Sequence, residues 1–555
     1  MWNPPSSHPP KRVVWKAVLS SLRNPQLLRP VWRLALPVIL TNLLMALVNI
    51  ADVFMVGRLG PIEIAAVGMS STVRLLVIIF AFSVTAGAMA LVAQAKGARD
   101  PSRLSFVARQ SISLTLVLAL MLSLVGWVLA EPTLRFLNGD GEPLAVRLGT
   151  KYLQLLFAGT VFLAGNWLVS SLMQGAGDTV TPLFLSGAIN VLNILFNYLL
   201  IFGPGPFPGL GVTGAALGTI LARMLGVVAG LVLFYSGRNV VHILPGSYLP
   251  NWRMFRDILS IGIPSALQGM VRNTSQLLVI RIVTSTAAGS YGAAALAIGL
   301  QIESLAFMPG LAISIAATNL VGQSLGAWQV DDARRWGDAA SLLGMIVMSI
   351  IGVLLVLFAP SLVRLFDPSA HPTVVAAGTS YIRIVSLSLP VLALSMVYNG
   401  ALRGAGDTTP GLFGNLLGRW LTGVPTSYLL AVVLGMGPAG VWWGLVAGTA
   451  VAGIYVLIRW QGGRWADVAL RKTDLYRRHL VNLPEETRER YLREIRTSLM
   501  ARPGATEHIE EANVRYQLGQ SGSVRIHFTA QDYQVAQDEG GEDRPIPGPN
   551  EAPRS

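Results

Sequence analysis

Long apolar blocks, recurring along the chain with few charges inside them, limit this sequence to one kind of fold. Blocks near residues 33 to 56, 64 to 95, 106 to 129, 149 to 173, 182 to 203 and 211 to 235 are followed by a second set. That set lies near 257 to 284, 292 to 318, 337 to 358, 377 to 402, 411 to 434 and 438 to 459. Each is long enough for a helix to cross about 30 Å of hydrocarbon. Only a helix or a closed barrel satisfies its backbone there, and blocks of this length fit the helix. Twelve transmembrane helices in an all-α integral membrane protein are therefore expected. Only 13% of residues are Asp, Glu, Lys or Arg, against about 25% in soluble proteins.

The net charge of +13 invites a nucleic-acid reading, which the placement of the charges excludes. Lys96, Arg99, Arg103, Arg238, Arg253, Arg256, Arg334, Arg335 and Arg403 fall on one set of alternate connections, with Lys11, Arg12 and Lys16 in the N-terminal tail. The other set holds Arg58, Arg135, Arg147, Lys151 and Arg364. The excess on the first set places both termini in the cytoplasm and the chain in the inner membrane of the cell. The third connection breaks the pattern, since it carries three basic residues on the outside. Cysteine is absent, which removes disulfides, thiolate metal sites and cysteine nucleophiles from consideration.

An internal repeat divides the chain. QGAGDTVTPLF from Gln174 returns as RGAGDTTPGLF from Arg403, and LVAQAKGA from Leu91 returns as LVGQSLGA from Leu320, both 229 residues on. Gly211, Gly214 and Gly218 return as Gly437, Gly440 and Gly444, 226 residues on. Ordered matches of this kind mean homologous halves. Six spans per half is an even number, so the halves are parallel repeats about an axis along the membrane normal, with substrate expected between them. The expected divisions are an N-terminal tail over 1 to 32, bundles over 33 to 240 and 241 to 460, and a cytoplasmic tail over 461 to 555.

Together with VGRLGP from Val56 and GVTGAALGT from Gly211, these motifs resemble the multidrug and toxin extrusion (MATE) family over residues 33 to 460. The resemblance implies a V-shaped pair of bundles that exports organic cations and related drugs against a proton or sodium gradient. It also places Asp52 on the first-helix aspartate that takes up the coupling cation. At Asn197 many relatives carry an aspartate, and Arg272 stands where some carry a glutamate.

The residues by themselves point the same way, because ionisable side chains inside spans are costly and are functional candidates by default. Asp52 is the one acid within the spans of the first half. At about 1.5 Å per residue, Asn193 and Asn197 reach its depth, and Tyr152 and Thr219 are placed in the same layer. Asn190, Asn193 and Asn197 share one helix face. One carboxylate among amides suits a proton, with sodium as the alternative. In the second half Glu303 and Arg272 lie at one depth on either side of the turn near residue 288 and are expected to pair. No role follows for Arg74, Arg223, Arg281, Arg383 or Arg419. Gly175, Gly177, Gly404 and Gly406 fit turns that need positive φ.

No P-loop or HExxH is present, and none of the six histidines lies in a proposed span, so neither an enzyme nor an ATP-driven pump is expected. Neither a cofactor nor a resident metal is implied. The expected partners are drug-like small molecules and the bilayer, with the chain a monomer. A lipid-linked precursor flippase is the rival function. Beyond Gln461 the apolar density falls, with an amphipathic helix expected over Pro484 to Met500, a short strand from Ser523 and a disordered end.

Overall fold

The computed structural model describes residues 28–138, 142–204, 209–237, 239–367, 371–469, 515–518 and 524–527, and at 71–78, 80, 515–518 and 524–527 the backbone alone. The expected N-terminal tail, the amphipathic helix over Pro484 to Met500 and the last residues lie outside that description. The chain divides into two compact units, Met1–Thr473 and Asp474–Ser555.

The first unit is a helical membrane bundle. Its first half contains α1 (Leu28–Gly57), α2 (Pro61–Gly97), α3 (Pro101–Asn138), α4 (Pro143–Ala158), α5 (Thr160–Gly175), α6 (Val180–Phe202) and α7 (Val212–Tyr235). Its second half contains α8 (Trp252–Thr284), α9 (Gly289–Gly326), α10 (Val330–Phe366), α11 (Pro372–Ser386), α12 (Leu389–Gly404), α13 (Thr409–Val433) and α14 (Pro438–Gln461). Eight of these helices are each long and apolar enough to cross a membrane, and the bent pairs α4–α5 (50°) and α11–α12 (53°) add a span each. With α2 and α8, which run the same distance, the described residues give twelve spans in two sets of six. Charge within α8, from Arg253, Arg256, Asp257, Arg272 and Arg281, makes it the least apolar of them. In α13 the turns at Leu416–Gly423 and Leu429–Val433 are π-helical, a form often found at functional sites.

The repeat holds at the level of single residues. Gly211 (φ 57°, ψ −132°) and Gly437 (φ 60°, ψ −146°) open α7 and α14 with nearly the same dihedrals. Arg99 and Trp328, 229 positions apart, are the non-glycine residues with positive φ among the described residues, at 51° and 64°. Gly177 and Gly406 take φ of 91° and 78° as expected. The expectation fails for Gly175 and Gly404, which end helices without positive φ. A Cβ at Gly175 would meet the Met89 carbonyl oxygen at 2.7 Å, and one at Gly404 would meet that of Thr318 at 2.4 Å. Backbone approach, rather than a turn, requires glycine there.

Let the near face be the side where α1 begins and α14 ends, and the far face the opposite side. Contacts between the halves gather in the near part of the helices. A Cβ at Gly262 would fall 1.6 Å from the Ser83 carbonyl oxygen, and one at Gly87 2.1 Å from that of Ile258, so α2 and α8 touch backbone to backbone. Gly97 and Gly326, 229 apart, do the same for α2 and α9, against the carbonyls of Gln323 (1.8 Å) and Gln94 (2.0 Å). The hydrogen bonds are reciprocal too. Gln94 Nε2 donates to the Gly404 carbonyl (2.9 Å), while Asn319 Nδ2 donates to those of Gln174 (2.6 Å) and Gly175 (2.7 Å). Each half thus caps the GAGDT turn of the other. Near the far face the buried clusters stay within one half: Met55, Tyr152, Ile201 and Val212 in the first, Val279, Tyr381, Val441 and Trp442 in the second. Among the described residues the bundles are therefore joined at the near face and separate at the far face, the V that the resemblance implied.

The second bundle does not end at Gln461, as the fall in hydropathy suggests. A turn of helix over 464–469 folds back, and Trp465 stacks on Trp460 with ring centroids 4.4 Å apart. Trp465, Ala466 and Ala469 belong to the core that contains Val31 of α1 and Ala316 of α9. In the second unit, β1 (Arg515–Leu518) pairs antiparallel with β2 (Val524–His527), so the expected single strand is half of a hairpin. A chain ended after residue 470 is expected to insert and transport like the full chain, whereas one ended at 461 is expected to melt earlier. A transport assay alongside a detergent melting curve checks both.

Candidate functional site

The polar core of the first bundle forms where α1, α6 and α7 meet. α6 presents Asn190, Asn193 and Asn197 inward, each 4% exposed or less, because residues at i, i+3 and i+7 share one face. Gly218 of α7 makes this possible. A Cβ there would lie 2.2 Å from Asn197 Oδ1, so any larger residue would force α6 and α7 apart. Asn197 Nδ2 donates to Asp52 Oδ1 at 2.8 Å, joining α6 to α1. One turn toward the near face, Asn193 Nδ2 donates to Thr219 Oγ1 at 3.3 Å, and that hydroxyl donates to the Ala215 carbonyl. Tyr152 is buried beside them among Met55, Val56, Ile201 and Ala215.

All five residues picked from the sequence thus lie in one layer of one bundle. Hydrogen bonds connect Asp52 with Asn197 and Asn193 with Thr219. Two polar atoms in the row, Asn197 Oδ1 and Asn190 Nδ2, are buried with no hydrogen-bond partner. An unmade bond to a buried polar group costs about 1–3 kcal/mol. No group of three or more His, Asp or Glu suited to holding a metal occurs among the described residues.

The row continues to Arg223, for which the sequence suggests no role, and to Asn166. Arg223, one turn below Thr219 on α7, donates to Asn166 Oδ1 on α5 at 3.1 Å. The signal was present in the spacing, since Thr219 and Arg223 are i and i+4 on one helix. Side-chain detail at Arg74 lies outside the description.

The second bundle departs from its expected pairing. Tyr381 of α11 donates to Glu303 Oε2, and Arg272 stacks over the Phe307 ring, 4.7 Å from its centroid. Arg272 lies within electrostatic range of Glu303 and also of Arg419. No ion pair joins Arg272 to Glu303 among the described residues, so the two share a depth without pairing. The physical reason is that a ring face and a phenol give each charge a partner within its own layer. Glu303→Gln and Tyr381→Phe are therefore expected to couple by about 1–3 kcal/mol in a double-mutant cycle, while Glu303→Gln and Arg272→Gln act nearly additively. Melting curves of the single and double variants measure it.

A further acid escaped the sequence reading. Asp338 on α10, 6% exposed, accepts from Trp460 Nε1 (2.9 Å) and Tyr398 Oη (3.1 Å) near the near face. Its repeat mate is Arg109, likewise buried and bonded to the Leu244 carbonyl. Aligning the halves and asking which buried positions differ in charge would have found the pair. Asp178 also proves structural, since it accepts from the Thr181 amide at 2.9 Å and caps α6.

Comparison with known proteins agrees with this geometry. The MatE family model matches residues 37–199 and 264–429, one segment in each half. A multidrug resistance protein NorM of Burkholderia vietnamiensis is 31% identical over 436 residues, covering 77% of this chain and 92% of that protein. A probable multidrug resistance protein NorM of Thermotoga maritima is 28% identical over 453 residues, covering 81% and 96%. A multidrug resistance MATE family transporter of the MOP superfamily, solved in an outward-facing conformation, superposes with a TM-score of 0.73 at 26% identity, covering 80% of this chain and 98% of that one. With twelve spans in two repeated bundles and a family-model match in each half, this multi-pass membrane protein belongs to the MatE family of transporters.

Proposed function

We propose that the protein is a proton-coupled antiporter that exports amphipathic, often cationic, small molecules, with Asp52 as its coupling residue. The observation that carries this reading is the 2.8 Å hydrogen bond from Asn197 to Asp52 inside the first bundle. An amide is a partner for both forms of a carboxyl group. Its nitrogen donates to the carboxylate, and after a half-turn of the amide its oxygen accepts from the protonated acid. An ionised aspartate in place of Asn197 could accept from the protonated acid but could not donate to the carboxylate. Protonation of Asp52 from the open far side removes the charge that attracts a cationic substrate and repacks the asparagine row. Substrate leaves to that side, and loss of the proton to the cytoplasm resets the cycle. Coupling of this kind requires that the ion favour one conformation by its own differential affinity.

Both termini lie in the cytoplasm in this reading, and the chain sits in the inner membrane. A sodium-coupled cycle is the second reading, favoured by the unpartnered oxygen Asn197 Oδ1 beside Asp52, Asn193 and Thr219, a set of oxygen ligands. Efflux of cationic dyes and drugs from everted vesicles, with proton and sodium gradients imposed separately, distinguishes the two. Export driven by sodium alone would overturn proton coupling. Failure to move any member of the panel would favour a lipid-linked precursor as substrate.

A further inference from the structure

The basic residues that break the charge rule at the far face have a structural counterpart. Where the far ends of α10 and α11 meet, a cavity of about 680 Å³ is lined by Arg364, Thr379, Ser380 and Arg383, with Val375 and Ile384 among its apolar walls. Arg364 and Arg383 are exposed, and neither makes a hydrogen bond or ion pair among the described residues. Residues Val374, Gly378, Tyr381, Ile382 and Val385 form the buried face of α11. At 100° per residue the cavity residues Ala376, Thr379 and Arg383 lie on the opposite side. That side takes no part in the buried face of the helix.

Depth can be read from packing. A Cβ at Gly378 would touch the Val363 side chain at 3.2 Å, so Arg364 stands level with the first turns of α11. Arg383 is five residues past Gly378, about 7–8 Å deeper. A guanidinium facing hydrocarbon at that depth is costly unless it reaches upward to an anion. Below the cavity the same helix faces continue as Leu357 (68% exposed) and Val353 (59%) on α10, and Leu387 (61%) just past the end of α11. The groove thus offers two guanidinium groups and two hydroxyls above an apolar track, a match for a phosphate with acyl chains attached. Paired arginines suit phosphate because their forked donors meet its oxygens in two-point contacts.

The repeat supplies independent support. Moved back by 229 residues, the positions of Arg364, Ala376, Ser380 and Arg383 become Arg135, Arg147, Lys151 and Gln154. The corresponding site of the first half is basic as well, and these are the residues that make the third connection an exception to the charge rule. In that half Arg135 is engaged by Glu131, whereas the second-half pair is left for a ligand.

We propose that the cavity between α10 and α11 is a binding site for an anionic phospholipid of the far leaflet, its phosphate held by Arg364 and Arg383 with help from Thr379 and Ser380. The acyl chains run along Val353, Leu357 and Leu387. Because α11 meets α12 at a 53° bend, a lipid held there anchors the outer limb of a broken span.

The test uses full-length protein in vesicles containing a trace of phosphatidylglycerol with a photoreactive acyl chain. Crosslinks are expected on peptides holding Val353, Leu357 and Leu387, and unlabelled phosphatidylglycerol should compete better than phosphatidylcholine. In the double variant Arg364→Gln with Arg383→Gln, labelling of those peptides is expected to fall about thirtyfold, from two basic contacts near the membrane surface. Arg383→Gln alone should lower the labelling about fivefold, from the loss of one basic contact, and serves as the second variant if the double one inserts poorly. Undiminished labelling in a correctly inserted double variant would overturn the site. Displacement by millimolar inorganic phosphate would show a free-anion site and overturn the lipid assignment.

Discussion

Asp52→Asn is expected to insert, bind drug and lose gradient-driven export. Asparagine has nearly the shape of aspartate, so the contact with Asn197 at 2.8 Å survives as an amide pair and the bundle keeps its packing. What disappears is the group that exchanges a proton. Allosteric coupling energies of about 1–3 kcal/mol correspond to factors of about 5–150, so the driven rate should fall by about tenfold or more. Equilibrium binding of a fluorescent substrate should change far less. Dye export from vesicles under an imposed proton gradient, beside binding to the purified variant, separates the two quantities. If the variant pumps at the wild-type rate, coupling resides elsewhere, and Glu303 with its Tyr381 contact is the next group to replace.

Gly262→Val is expected to abolish transport by a different route, through the near-face closure. The Cβ of any residue there would fall 1.6 Å from the Ser83 carbonyl oxygen, a collision with backbone that side-chain rearrangement cannot relieve. Forced separation of α2 and α8 also pulls on the Gln94 and Asn319 bonds to Gly404, Gln174 and Gly175. The halves should then fail to close at the near face, and the protein should leak or stall. Native cysteine is absent, so a single reporter at Ala90→Cys, fully buried in the closed interface, gives a clean readout. Maleimide should label that site in the Gly262→Val background and spare it in the parent. Equal protection in both, with normal insertion, would show that this crossing does not hold the gate.

The two variants probe different levels of the same design. Asp52 acts on the local equilibrium inside one bundle, and Gly262 acts on the contact between bundles. Loss of export with normal reporter protection in the first, and labelling of the reporter in the second, would assign coupling and gating to separate parts of the molecule.

Much of this architecture follows from the sequence by itself. Apolar length fixed the spans, because hydrocarbon demands a helix that satisfies its own backbone. The 229-residue repeat fixed the duplication, and its reach extends to Arg99 and Trp328, whose unusual backbone geometry recurs in both halves. The layer of Asp52, Asn193, Asn197, Tyr152 and Thr219 was also legible, since depth along a helix is simple arithmetic and a row of amides on one face is conspicuous in an apolar block. Tertiary structure alone decided the partners. Equal depth placed Arg272 and Glu303 at one level, but direction around the helix axis sent Glu303 to Tyr381 and Arg272 to Phe307. Hydropathy ended the second bundle at Gln461, whereas the stacking of Trp465 on Trp460 carried it to Ala469. Which glycines mark turns and which mark backbone crossings was hidden for the same reason. A sequence records spacing along the chain, and the absence of a Cβ acquires its meaning only from the atom of another helix that occupies its place.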